Sequence, residues 1–160
     1  MARYPTKSLY VPKNPAKYLG NNRSNIIMRS SWERLVALEF DNNPAVLGWT
    51  SETVKIAYFH PIDQKWTIYR PDFMVIYIDA AGKRHTEIIE VKPSEEDARQ
   101  YMQNPMIIGA KNPAKMKVLA AKLAVNAAKW KAAIYYCQRN GWQFRVLTGD
   151  KVFDQRFVRR

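Results

Sequence analysis

The stretch that decides the fold is YRPDFMVIYIDAAGKRHTEIIEVK, residues 69–92. Two apolar runs, residues 73–78 and 88–91, are rich in Val, Ile, Tyr and Phe and flank a break that contains Gly82. This pattern predicts a β-hairpin whose loop, residues 80–82, places Gly82 in the left-handed conformation. The central residues are apolar on both faces, which favours a sheet covered on both sides by helices.

The register of this hairpin predicts which charged residues meet at its open end. The three-residue loop pairs Asp79 with Lys83. Counting back, it sets Asp72 opposite Glu90, about 5 Å apart on one face. Lys92 shares that face because strand side chains alternate with a period of two. The sequence therefore predicts two carboxylates and an amine at one edge of the sheet.

These three groups suit metal-assisted hydrolysis. Two neighbouring carboxylates repel each other unless a cation lies between them, and their oxygens suit Mg²⁺. A lysine beside the metal can orient or deprotonate an attacking water. The residues alone leave a plainer interpretation open, a hairpin with one cross-strand ion pair and one solvated acid. A register shift of one residue would move Asp72 to the other face.

A helix is predicted over residues 31–42, with Ser30 or Ser31 as its N-cap and Asn-Asn-Pro at 42–44 as its stop. Glu33 lies three residues after Ser30, which fits a capping box in which its carboxylate bonds to the backbone of Ser30. The spacing leaves a catalytic role for Glu33 as the alternative.

The other predicted elements complete the order helix, strands, helix, strand, which is typical of an α/β fold. They are strands at 54–59 and 66–69, a short helix opening at Ser94, a long helix from a cap at Asn112 to Gly141, and a final strand at 142–147. Glu52, just before the first of these strands, is interpreted as a surface residue, with an approach to the charged edge of the hairpin as the alternative.

Charge indicates a polyanionic partner. The 160 residues carry a net charge of +12, with a pI near 9.9, and such an excess favours nucleic acid. Residues 98–149 contain nine basic residues and no acid, which predicts a DNA-facing surface. Residues 1–29 contain six basic residues, three prolines and no acid. They have too little apolar periodicity for a core element, so they are either an arm that lies along a partner or a solvated tail with its tyrosines packed on the domain.

Other classes of function are disfavoured. No apolar run approaches 18 residues, which argues against a membrane span. The single cysteine, Cys137, excludes an internal disulfide, fits a reducing cytoplasm and is expected in the core. Neither His60 nor His85 has a partner at zinc-ligand spacing.

Pro71-Asp72, followed by Glu90-Val91-Lys92, resembles the signature of the PD-(D/E)XK nucleases. Residues 11–14, 29–33 and 49–52 are similar to the head-completion nucleases of T4-like tailed phages. The wider pattern is also similar to the transposase endonuclease subunit. Together the resemblance covers roughly residues 10–148.

The resemblance implies a restriction-endonuclease-like core, a central mixed β-sheet flanked by helices, in a nuclease domain of residues 30–149. A basic arm, residues 1–29, would precede the domain and a tail, residues 150–160, would follow it.

The resemblance also implies roles for the site residues. Asp72 and Glu90 would bind Mg²⁺, with Mn²⁺ as an alternative, assisted by the backbone carbonyl of Val91. Lys92 would serve the hydrolytic water. Glu33 would complete the catalytic site by binding a second ion or a metal-bound water.

The expected function is that of a metal-dependent DNA endonuclease that hydrolyses phosphodiester bonds. It would act in phage head completion and DNA packaging before tail attachment, with DNA and portal, neck or head proteins as partners. The expected location is the host cytoplasm, with association with the virion as an alternative. Two other classes remain open: a structural neck or DNA-binding protein of the virion with little turnover, and a transposase-type or restriction-type endonuclease subunit.

Overall fold

A four-stranded mixed sheet forms the centre of the computed structural model, which describes residues 7–92 and 113–148. The elements in chain order are β1 (Ser8–Tyr10), a 3-10 turn (Pro15–Lys17), β2 (Ile26–Met28), α1 (Ser31–Asn42), β3 (Val46–Ser51), β4 (Ile56–His60), β5 (Lys65–Tyr69), β6 (Phe73–Ile78), β7 (Arg84–Lys92), α2 (Pro113–Asn140) and β8 (Gln143–Thr148).

The central sheet has the strand order β3-β6-β7-β8, and only the β7–β8 pair among these is parallel. The strands β1 and β2 form a separate antiparallel pair, as do β4 and β5. The prediction of an α/β fold with a mixed sheet and flanking helices is confirmed, and this is the arrangement of a restriction-endonuclease-like core.

The predicted hairpin is present as β6 and β7, in the predicted register. Phe73 pairs with Ile89, and the amide of Asp79 donates to the carbonyl of Lys83 over 2.9 Å. Gly82 has a φ of +82°, the left-handed conformation that a loop of this length requires. Continued by one residue, the register sets Asp72 opposite Glu90.

The two faces of the sheet pack against different helices. On one face, Phe40 of α1 lies among Trp49, Phe73 and other buried side chains in one apolar cluster. On the other face, α2 supplies Leu123 and Trp130, which pack with Val146 of β8. Covering on both faces follows from the apolar residues on both sides of β6 and β7.

Helix α1 spans the predicted residues, but its cap differs in one bond. The hydroxyl of Ser30 accepts from the amide of Glu33 over 3.0 Å, as predicted. The carboxylate of Glu33 accepts from the amide of Arg29 over 3.0 Å, one residue earlier than a capping box would place it.

Helix α2 ends where the sequence predicts. Gly141 has a φ of +70°, and the amide of Trp142 donates back to the carbonyl of Cys137 over 2.8 Å. A left-handed glycine with this backbone bond is the Schellman termination of a helix.

The expectation that residues 1–29 contain no core element is wrong for the part that the structure describes. Tyr10, Tyr18, Ile26 and Met28 are all buried in the cluster beneath α1. The segment is held by short strands and by large side chains instead of a periodic pattern, so sequence periodicity does not reveal it. Packed tyrosines were one of the two interpretations left open.

Strand β3 was not predicted. Its sequence contains Gly48, and its pairing with β6 shifts register between Val46 and Gly48, so it lacks a regular alternation. A Cβ at residue 48 would lie 2.7 Å from Cδ1 of Leu19. A larger residue here would therefore force the side chain of Leu19, in a segment distant in sequence, to move.

The structure describes some of the remaining predicted elements and not others. The strands predicted at 54–59 and 66–69 begin and end within two residues of β4 and β5. The short helix at Ser94, the cap at Asn112 and the tail lie outside the described residues. No helix of the described ranges is long and apolar enough to cross a membrane.

Candidate active site

Asp72 lies immediately before β6, at the open end of the hairpin. Its Oδ2 accepts a hydrogen bond from the amide of Val91 over 2.8 Å. Its backbone carbonyl accepts from the amide of Glu52 over 3.0 Å. The side chain is thus fixed to β7 and the main chain to the end of β3.

Glu90 and Lys92 project from β7 on the face that Asp72 shares. Nζ of Lys92 lies 3.7 Å from Oε1 of Glu90. The phenol of Tyr69, the last residue of β5, donates to Oε2 of Glu90. Glu90 is buried, and each of its carboxylate oxygens has one of these partners.

Glu33, in the first turn of α1, is buried and lies within electrostatic range of the same group. Burial raises the pKa values of Glu33, Asp72 and Glu90. The negative charges of Glu90 and Glu33 raise the pKa of Asp72 further, against the opposing effects of the Val91 amide and Lys92. The fold therefore gathers three carboxyl groups whose charges oppose one another.

Lys129, on α2, is a residue that sequence reasoning missed. Its Nζ lies 5.5 Å from the ring centre of Tyr69 and 6.0 Å from that of Tyr58. Burial and the positive charge of Lys92 lower its pKa, while Glu90 and Asp72 act in the opposite direction. No sequence signal separates it from the other lysines of the helix, because only the docking of α2 brings it here.

Tyr69 was also missed, although it opens the stretch that predicts the hairpin. Its position three residues before Asp72 was the available signal. Contact with Glu90 depends on how the β4–β5 hairpin packs beside the sheet, which the sequence pattern does not show.

Arg29 and Glu52 form an ion pair beside the site. Nε of Arg29 lies 2.7 Å from Oε1 of Glu52, and Glu52 adopts a φ of +55°. The charge of Glu52 helps to raise the pKa of Glu33, after burial. The interpretation of Glu52 as an ordinary surface residue misses this position. The two flanking segments of the resemblance, residues 29–33 and 49–52, meet here.

The remaining candidate groups lie elsewhere. His85 pairs with Asp79 over 2.7 Å at the far end of the hairpin, and His60 accepts backbone bonds in the β4–β5 turn. Cys137 is buried, as predicted, and burial raises the pKa of its thiol to about 11. Across residues 7–92 and 113–148, no three His, Cys, Asp or Glu side chains are grouped closely enough to hold a metal ion.

A cleft of about 580 Å³ runs between Lys92 and α2. Lys122 and Lys129 line it together with Asn126 and three apolar residues of the helix. The positive charge around this cleft favours a phosphate backbone next to the carboxylates.

A mixed sheet flanked by helices, with Asp72 just before β6 and beside Glu90 and Lys92 of β7, matches the arrangement of α/β nucleases with a restriction-endonuclease-like core.

Comparison with known proteins agrees with this class. The family model described as "TnsA-like endonuclease N terminal" matches residues 43–149. The head completion nuclease of Enterobacteria phage T4 is 34% identical over 142 residues, which cover 88% of this chain and 89% of the phage protein. The chain belongs to the TnsA-like endonuclease family.

Proposed function

We propose that this protein is a metal-dependent DNA endonuclease that acts in phage head completion, before tail attachment. The observation that carries the proposal is that Asp72 accepts from the amide of Val91 over 2.8 Å and lies close enough to Glu90 for their charges to repel, with Lys92 3.7 Å from Glu90. The similarity to a head completion nuclease over 88% of the chain supports the biological setting.

The donor set fits a hard cation. Asp72 and Glu90 supply carboxylate oxygens, and the backbone carbonyl of Val91 supplies a third oxygen. Mg²⁺ is commonly held by one or two carboxylates and keeps several waters, so a third carboxylate is not required. A bound cation would also relieve the repulsion that raises the pKa of Asp72 beyond the effect of burial. Mn²⁺ has the same ligand preference.

When bound, the metal would act as a Lewis acid on the scissile phosphate and its attacking water. The amine of Lys92 would orient that water or take a proton from it. The Val91 amide fixes Asp72, and the Tyr69 phenol fixes Glu90, so both carboxylates are held in place before substrate arrives. Glu33 would hold a second ion or a metal-bound water.

In hydrolysis the water oxygen forms a new bond to phosphorus, the bond from phosphorus to the 3′ oxygen breaks, and that oxygen leaves with a proton. By resemblance to PD-(D/E)XK nucleases, the products carry a 5′-phosphate and a 3′-hydroxyl. Portal, neck or head proteins are the proposed partners besides DNA, and the host cytoplasm is the proposed location.

A subunit of a transposase-type endonuclease is the second candidate. The family match to residues 43–149 favours it, since that family is named for such an endonuclease. Such a subunit would cleave only with its partner, whereas the first candidate cleaves alone.

The test is nicking of supercoiled plasmid with Mg²⁺ or Mn²⁺ and with EDTA. We expect metal-dependent nicking that falls by at least about 100-fold in Asp72→Ala, Glu90→Ala and Lys92→Ala, because each change removes a metal ligand or the water-orienting amine. Lys83→Ala, at the opposite end of β7, is the matched control and should nick normally. Thermal unfolding checks that each variant is folded. Full activity in Asp72→Ala would refute the proposal.

A further inference from the structure

A second groove, of about 940 Å³, lies between the β4–β5 hairpin and α2. We call it the aromatic groove. Among the described residues, its lining includes aromatic and basic side chains and contains no acidic residue. The aromatic residues include Tyr58, Phe59, Trp66 and Tyr135, and the basic residues are Lys55, Lys131 and Arg139.

The exposed aromatic side chains of the described residues lie in the aromatic groove. In residues 7–92 and 113–148, the aromatic side chains with more than a third of their surface exposed are Phe59 (42%), Trp66 (70%) and Tyr135 (61%). All of them line this groove. Phe59 and Trp66 are cross-strand partners in edge-to-face contact, with ring centres 5.8 Å apart. Packing within the chain therefore leaves much of Trp66 open to a ligand.

Basic side chains accompany these rings. Lys55, Lys131 and Arg139 are exposed at the groove, and the Arg139 guanidinium lies 5.7 Å from the ring centre of Tyr135. Aromatic side chains interleaved with cations are the features by which proteins bind single-stranded nucleic acid, because bases stack on the rings while phosphates meet the cations. A fully paired duplex would not offer its base faces to the rings.

The aromatic groove adjoins the candidate active site. Tyr58 lines the groove and lies 6.0 Å from Nζ of Lys129, which in turn approaches Tyr69, the partner of Glu90. On α2, Lys129 directly follows Ala128 and lies three residues before Ala132, and both alanines line the groove. Three residues span less than one helical turn, which is about 5.4 Å long. A strand held in the groove would therefore lie next to the nuclease site.

We propose that the aromatic groove binds single-stranded DNA, with bases stacked on Trp66 and Tyr135 and with phosphates paired to Lys55, Lys131 and Arg139. This deepens the proposed function and rests on DNA being the substrate. It names the substrate class as DNA that carries a single-stranded segment, such as a flap, gap or frayed end, beside the duplex to be cut.

The test measures binding without cleavage, by fluorescence anisotropy of labelled oligothymidylate in EDTA. Trp66→Ala and Tyr135→Ala should each bind about 10-fold more weakly, since each removes a stacking surface. Trp66→Phe keeps a ring and should retain most of the affinity. Leu47→Ala removes a similarly exposed apolar side chain from β3, outside the groove, and should bind as the wild type does. Because Trp66 is exposed, its replacement should leave the unfolding temperature unchanged.

Further readouts distinguish single-stranded DNA from a second copy of this chain as the ligand of the groove. Binding should quench tryptophan fluorescence in the wild type but much less in Trp66→Phe, because a stacked base contacts that indole. Unchanged oligonucleotide affinity in Trp66→Ala would overturn the proposal. If that variant also lost a concentration-dependent self-association seen by sedimentation, a second copy of this chain would be the ligand instead. Plasmid nicking by the wild type and by Leu47→Ala, which lies outside the groove, reports separately on the proposed nuclease function.

Discussion

At the scale of single residues, Asp72 is a carboxylate that the fold holds where its negative charge is disfavoured. The Val91 amide fixes its side chain and the Glu52 amide fixes its carbonyl. The neighbouring charges of Glu90 and Glu33 oppose its ionisation, in addition to burial. This repulsion supports the proposed metal site, because a cation bound there would relieve it.

This arrangement predicts a stability effect that does not depend on activity. In EDTA, Asp72→Asn should raise the unfolding temperature by roughly 2–4 °C, because it removes one of the opposed charges while its amide oxygen still accepts from Val91. Added Mg²⁺ should raise the unfolding temperature of the wild type but not of the variant. Differential scanning fluorimetry measures both.

Asp63→Asn is the matched control for Asp72→Asn. Asp63 is an exposed acid in the β4–β5 turn, so its change should leave the Mg²⁺ response intact. A Mg²⁺ response of wild-type size in Asp72→Asn would remove Asp72 from the metal site.

At the scale of elements, Asp41 joins the N-terminal segment to the end of α1. Its carboxylate accepts from the hydroxyl of Tyr10 and the amide of Lys13 over 2.7 Å each, and from the amide of Asn14 over 3.0 Å. Nζ of Lys17 donates to the carbonyl of Asp41 over 2.9 Å, which caps a carbonyl at the helix end with a cation. These bonds explain why a segment without periodicity is ordered.

Asp41→Asn should therefore lower the free energy of unfolding by about 2–3 kcal/mol, since an amide cannot accept from all of these donors and leaves a half-buried N–H unpaired. Chemical denaturation measures the change. Glu39→Gln, on the same helix and less buried, is the control and should change it by less than about 1 kcal/mol.

The same contacts give the effect of Asp41 a pH dependence. Burial alone would raise the pKa of Asp41, but the bonds from Tyr10, Lys13 and Asn14 hold it below its ordinary value. A carboxylate with a lowered folded pKa stabilises the protein above its unfolded pKa, about 3.9, and loses that contribution as pH falls through the folded value. The difference between Asp41→Asn and the wild type should thus be complete at pH 7 and shrink below about pH 4. A constant difference would contradict this account.

At the scale of the whole molecule, positive charge is in excess and lies beside the candidate active site. The net charge is +12, and Lys92, Lys122 and Lys129 line the cleft beside the carboxylates. Lysines that contact DNA phosphates in this cleft would release the counterions bound to the DNA. The logarithm of the binding constant should therefore fall linearly with the logarithm of the salt concentration.

Lys122→Ala should weaken duplex binding and reduce the magnitude of that salt slope by about one, if Lys122 meets a phosphate. Lys83→Ala should leave the slope unchanged, because residue 83 lies about 30 Å from Lys92 along the strand. Binding isotherms in EDTA at several salt concentrations provide the measurement. An unchanged slope in Lys122→Ala would place the DNA elsewhere on the basic surface.

Much of the fold could be predicted because its signals are local. Two apolar runs and a glycine loop predict β6 and β7 with their register, Ser30 predicts the start of α1, and Gly141 predicts the end of α2. Register alone brings Asp72 opposite Glu90, with Lys92 on the same face. The roles assigned to these residues and to Glu33 remain predictions.

What the sequence by itself determined is therefore the hairpin and its charged edge, since these depend on neighbours within one supersecondary unit. Only the tertiary structure decided that Lys129 approaches Tyr69, that Tyr69 bonds to Glu90, that Arg29 pairs with Glu52, and that the N-terminal segment joins the core. Those contacts join elements far apart in the chain, and their geometry is set by how whole faces pack. A local pattern carries no information about that packing.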